Sequence, residues 1–274
     1  MAALAVLAVS AAAQQATDPP RAGSLVPRAL RMPDYRWIRR TTPRAEIYIR
    51  AGSRSERIAS SIPRLAEQAI DADLARLGVP FSGPPLKLFF VGSREEMRPL
   101  LGATPGGHSA TDEGAAFFIG NDSIPPAMRH EIMHLLSWRL WGTPASAWLS
   151  EGLATSAAGR CGGDKHTDDD IAAILLREHR LVPLDTLWNH FIYSAEVGAQ
   201  YYLQSASLIQ YVDRRFGHEK LRALWPVGAY RDIRKRLGVD LATLERDWRA
   251  SLAARNPKGT WTEVFAELTR RGCE

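Results

Sequence analysis

The feature that most restricts how this chain can fold is a short run, Arg129-His130-Glu131-Ile132-Met133-His134. Two histidines four positions apart share one face only if the backbone between them is an α-helix. Met128, Ile132, Leu135 and Leu136 supply the apolar face that such a helix buries. His130 and His134 then point elsewhere, toward a cleft. Asp122 or Ser123 can cap the helix, Pro125 and Pro126 suit its first turn, and Gly142 stops it after Trp141. Gly142, Thr143 and Pro144 break the chain, and a second helix is expected from near Ser146. That hairpin carries Trp148-Leu149-Ser150-Glu151-Gly152 back toward the histidines.

The chemistry follows from the residue types. Neutral imidazoles at i and i+4 suit Zn²⁺, and a catalytic zinc keeps three protein ligands with the fourth position left to water. Glu151 is the candidate third ligand beside His130 and His134. A carboxylate directly after the first histidine, Glu131, is placed to take a proton from water as general base. The longer pattern with a glycine and a third histidine in the next two turns is absent, because Ser137 and Leu140 occupy those places.

Length and composition add bounds. The 274 residues could form one large domain or two small ones. A hydrophobic fraction of 45% and a charged fraction of 24% are ordinary for a globular chain. The net charge of +5 comes from 35 basic and 30 acidic residues spread along the sequence, so no nucleic-acid patch is expected. Arginine over lysine, with abundant alanine, hints at a GC-rich bacterial source. Residues 1–13 are apolar, uncharged and too short to span a bilayer. With Ala11-Ala12-Ala13 before Gln14 they read as a signal peptide, though without a basic start, which points to a secreted or periplasmic protein with no stable membrane span. Cys161 and Cys273 could pair in such a compartment or remain free thiols.

Along the chain, residues 14–43 are rich in proline and arginine and read as a linker or loosely packed lead-in. Strands are expected at 45–50, 86–91 and 115–119, with helices over 55–77 (Pro63 a possible break) and 94–101. Thr104 to Gly114 reads as a glycine-containing loop with His108. The strand at 115–119 is either an edge that could pair with an extended ligand or an ordinary core strand. After Glu151 the pattern is helical, with long helices at 195–216, 241–254 and 261–271. Asp168, Asp169 and Asp170 open a helix and are read as helix-end charge, not as a second metal site.

With H-E-I-M-H and W-L-S-E-G in place, the chain resembles the gluzincin metallopeptidases, and among them the peptidase MA-like branch. Tyr202-Leu203-Gln204-Ser205-Ala206-Ser207-Leu208 resembles a helix of that branch, and Gly238 through Trp248 its closing helix. The resemblance implies an α+β fold: an N-terminal mixed β-sheet with helices, then a mostly α-helical part, with zinc in the cleft between, as in a thermolysin-like catalytic domain. It implies a catalytic domain over 44–254 and a C-terminal helical extension over 255–274. It makes His130, His134 and Glu151 the zinc ligands, Glu131 the base and Tyr202 the hydrogen-bond donor to the oxyanion, with Tyr201 the alternative. Thr155 and Ser156 stand where related chains often carry an acidic residue and a tyrosine. The partner that orients a zinc-bound histidine must then come from elsewhere. Gly114-Ala115-Ala116-Phe117-Phe118 lacks the glutamate that aminopeptidases of this kind use to hold a free amine. The implied activity is hydrolysis of a peptide or protein substrate, by an endopeptidase more than an aminopeptidase. A binding protein that keeps the fold, and a zinc hydrolase of a non-peptide amide, are the competing readings.

Overall fold

The computed structural model describes residues 25–159, 165–193, 195–226 and 231–271. Residues 1–13, Cys161 and Cys273 lie outside the described residues, and so do the signal-peptide and cysteine-pairing expectations. No helix among the described residues is long and apolar enough to cross a membrane.

The first half is built on one mixed sheet. Its strands are β1 (Trp37–Thr41), β2 (Ala45–Arg50), β3 (Leu86–Val91), β4 (Gly107–Ala110) and β5 (Ala115–Ile119). They stand in the order β1-β2-β3-β5-β4. The centre, β2-β3-β5, is parallel, and antiparallel β1 and β4 close the two ends. Period-two alternation divides the side chains between two buried faces. Ile47, Ile49, Leu88, Phe90, Ala116 and Phe118 join the core beneath α2 (Ile62–Leu77) and α4 (Met128–Trp141). Tyr48, Phe89, Phe117 and Ile119 face the other way, toward α1 (Leu25–Arg31) and α3 (Arg94–Leu101). There Tyr48, Phe89 and Phe117 stack in a row, with ring centroids 4.7 and 4.8 Å apart.

The second half is helical: α5 (Ala147–Ala158), α6 (Asp168–Arg177), α7 (Leu184–Asn189), α8 (Ala195–Phe216), α9 (His218–Leu224), α10 (Ile233–Leu237), α11 (Leu241–Ala253) and α12 (Trp261–Arg271). The α+β class and the order of sheet then helices agree with the sequence reading. α5 lies against both α4 and α8, so it couples the halves. That contact needs Gly152, because a Cβ there would stand 2.7 Å from the Ser205 carbonyl oxygen. Within 255–274, α12 is docked through fully buried Trp261.

Four local expectations are corrected. Residues 25–43 are not linker: Leu25, Val26 and Ala29 are buried, and Glu113 accepts the Leu25 and Val26 N–H groups at 2.8 and 2.9 Å. Pro27 sits in the first turn of α1, where a missing N–H costs no helical bond. The loop over Thr104–Gly114 contains β4. β5 is therefore interior, paired on both sides, and the edge beside it is β4. Asp122 does not cap α4, whose cap position is Ala127; Asp122 instead pairs with Arg54 and Arg57 at 2.8 Å. The segment 55–77 is not one helix: a 3₁₀ turn covers Arg54–Ile58, the chain breaks at 59–61, and Pro63 falls in the first turn of α2.

Candidate metal centre

α4 delivers His130, Glu131 and His134, and α5 delivers Glu151. The histidine rings stand nearly perpendicular, with centroids 4.8 Å apart. Their Nε2 atoms are 3.2 Å apart. Glu151 Oε2 is 3.3 Å from His130 Nε2 and 3.2 Å from His134 Nε2. Three ligands at roughly 2.0–2.1 Å from one ion in a tetrahedral arrangement stand about 3.3 Å from one another. The triangle already has that size.

The donor set fits a metal in a second way. Glu151 Oε2 is buried and has no hydrogen bond, although it faces two imidazole nitrogens. A buried carboxylate oxygen without a donor is costly unless a cation answers it. Burial by itself would raise the Glu151 carboxyl, but the positive charge that His134 and His130 can carry holds it far below the usual carboxylate range. His130, His134 and Glu151 form a group that could hold a metal ion.

The orienting group for His134 comes from an unexpected place. Its Nδ1 lies 2.9 Å from Ser150 Oγ. When Nε2 serves a metal, the ring proton sits on Nδ1 and is donated to that hydroxyl. Ser150 immediately precedes Glu151, so one turn of α5 supplies both a ligand and the support for another. Thr155, where a carboxylate was looked for, is buried with its hydroxyl unbonded.

Glu131 lies on the sheet side, beneath β4. It is 7% exposed. Burial pushes its carboxyl up to about 7; His130 opposes the rise, Glu151 adds to it, and the Ser109 hydroxyl lowers it by donating a hydrogen bond. Gly107 and Ser109 alternate with His108 along β4, so both face the glutamate. A residue poised near neutrality can both accept and return a proton.

Tyr202 on α8 stands on another side. Its ring centroid is 6.0 Å from that of His130. Burial, followed by the Glu151 charge, raises its phenol, so it stays protonated and remains a donor. Tyr201 is buried and packs edge-on to Phe191 at 5.5 Å. Of the two tyrosines left open by the sequence, Tyr202 is the one with a ring contact to His130.

The acidic run opening α6 is structural. Asp170 forms a reciprocal cap with Thr167, and Asp169 accepts from Ser207 and Arg214 at 2.7 Å. Sequence reasoning did not assign roles to Ser150, Ser109 or Gly107. The only available signal was for Ser150, through its place beside the third ligand. Comparisons with protein-family models, curated proteins and solved structures find no match for the chain.

Proposed function

We propose that the protein is a zinc-dependent peptidase of gluzincin type, related to the peptidase MA-like branch and arranged like a thermolysin-type catalytic domain. The observation that carries this is the triangle of His130 Nε2, His134 Nε2 and Glu151 Oε2, of tetrahedral size, with a near-neutral buried glutamate beside it. The three residues would hold Zn²⁺, which when bound polarises a scissile carbonyl and acidifies water.

The remaining work falls to the chain. Glu131 accepts a proton from the attacking water and returns it to the leaving amine. A carboxyl that burial raises from its ordinary range is a better proton acceptor than a free glutamate. Tyr202 donates its O–H to the carbonyl oxygen as negative charge grows there, a contribution worth about 3 kcal/mol in comparable sites. Ser150 holds His134 in one tautomer. The outer edge of β4 takes an extended substrate by strand addition, which presents its backbone beside Glu131.

The test joins metal analysis to turnover. Purified wild type should carry about one zinc per chain, lost in His134→Ala and in Glu151→Ala. Glu131→Gln should retain zinc and lose hydrolysis across a broad peptide library. Hydrolysis surviving in Glu131→Gln would sink the mechanism. Bound zinc without any cleavage by wild type would shift the reading to a binding protein.

A further inference from the structure

β4 is a weak strand. It has four residues, Gly-His-Ser-Ala, and it lies at the edge of the sheet with β5 as its strand partner. Such a strand keeps its place through what packs on its two faces. One face lies against the proposed base, through Gly107 and Ser109. The other face turns to α1: Ala110 is buried in the same cluster as Leu25, Val26 and Ala29.

Directly after β4 the chain makes a 3₁₀ turn, Thr111–Glu113, before entering β5. Glu113 grips α1 with both carboxylate oxygens. Oε1 accepts the Leu25 N–H and Oε2 the Val26 N–H. The first N–H groups of a helix have no carbonyl partner within it, so this grip answers a need of α1. Two charge-assisted bonds to one carboxylate also fix its tilt, not only its distance. The next residue, Gly114, takes a left-handed conformation with φ of 58°, and a Cβ there would stand 2.9 Å from Arg139 Nη2. The turn is therefore seated between α1 and α4, the helix that carries Glu131.

α1 is tied to the opposite edge of the sheet as well. Trp37, the first residue of β1, donates its indole N–H to the Ala29 carbonyl at 2.9 Å. The short helix thus straps one edge strand to the turn that follows the other.

We propose that Glu113 is a positioning residue: by anchoring α1 it braces β4 from the face opposite Glu131 and so fixes the strand over the proposed base. The effect on turnover rests on the peptidase reading, whereas the brace itself can be measured without it.

The test compares full-length, zinc-loaded wild type, Glu113→Ala and Glu113→Gln. Hydrogen–deuterium exchange is followed over 104–114, with β2 and β3 as the internal reference. Glu113→Ala should speed exchange over 104–114 about ten-fold while β2, β3 and the zinc content stay as in wild type. Its kcat on a cleaved peptide should fall about ten-fold or more. Glutamine keeps one acceptor oxygen and the side-chain volume, so Glu113→Gln should fall between the other two in both measurements. Should the alanine variant not fold, the glutamine variant carries the same comparison. Unchanged exchange over 104–114, or a rise shared equally by β2 and β3, overturns the proposal. Faster exchange over 104–114 with an unchanged kcat overturns it too. Failure of the peptidase reading looks different: wild type cleaves no peptide, while the exchange difference confined to 104–114 remains and supports the brace.

Discussion

Glu131 lies directly beneath Gly107, so closely that a Cβ on Gly107 would stand 2.5 Å from its Oε1 atom and 3.0 Å from its carboxyl carbon. β4 is therefore the roof over the proposed base, and the glycine sets their separation. Gly107→Ala must push either the strand or the carboxylate aside. A displacement near 1 Å at a reacting group costs about a hundred-fold in rate. The variant should lose about that much kcat and keep its metal, since Gly107 does not touch the histidines' ligand atoms. Atomic absorption beside steady-state kinetics checks it. An unchanged kcat would mean that Glu131 has no fixed position to lose.

Ser150 gives a prediction about affinity instead of rate. Its hydroxyl is the partner of His134 Nδ1 at 2.9 Å. Removing such a support typically weakens metal binding by about ten- to a hundred-fold. Ser150→Ala should show that loss in a competition titration with a chromophoric chelator, and Ser150→Thr should recover most of it. Equal affinities in wild type and Ser150→Ala would assign the contact to packing alone.

How far the sequence spoke for itself differs between the two halves of the site. His130, Glu131, His134 and Glu151 were legible because helical spacing and a breaker at Gly142 are local facts. Tyr202 was legible only to within one residue, and it is the Tyr202 ring that lies beside His130. β4 stayed hidden: Gly107 and Ser109 have weak strand preference, and their pairing with Phe118 and Ala116 is a tertiary fact. The same holds for α1, where proline and arginine suggest a linker. Its first N–H groups are answered by Glu113, which is 88 residues from Leu25. Long-range partners of this kind leave no periodicity to read.

Tyr202 and Tyr201 make an internal control. Tyr202→Phe removes the proposed donor to the oxyanion without disturbing the ring beside His130. Its kcat should fall by about a hundred- to a thousand-fold with metal content unchanged. Tyr201→Phe should stay close to wild type. The reverse ranking would reassign the donor.

Asp73 supplies a pH dependence separate from catalysis. It is fully buried on α2 and meets Arg129, the residue before His130, at 3.0 Å. Burial pushes its carboxyl up to about 7, and Arg129 only partly offsets this. An unfolded aspartate titrates near 3.9. Between those values the folded state binds the extra proton. The contribution of Asp73 to stability is fully present below about pH 4 and is lost as pH rises through about 7. About three units of separation correspond to a loss on the order of 4 kcal/mol. Urea unfolding of metal-free wild type and Asp73→Asn, from pH 4.5 to 8.5, isolates this residue because the other titrating groups are common to both. The two should be similar in acid, and wild type should fall progressively below the variant toward pH 8. Parallel curves would show that Asp73 keeps its charge throughout, with Arg129 outweighing burial.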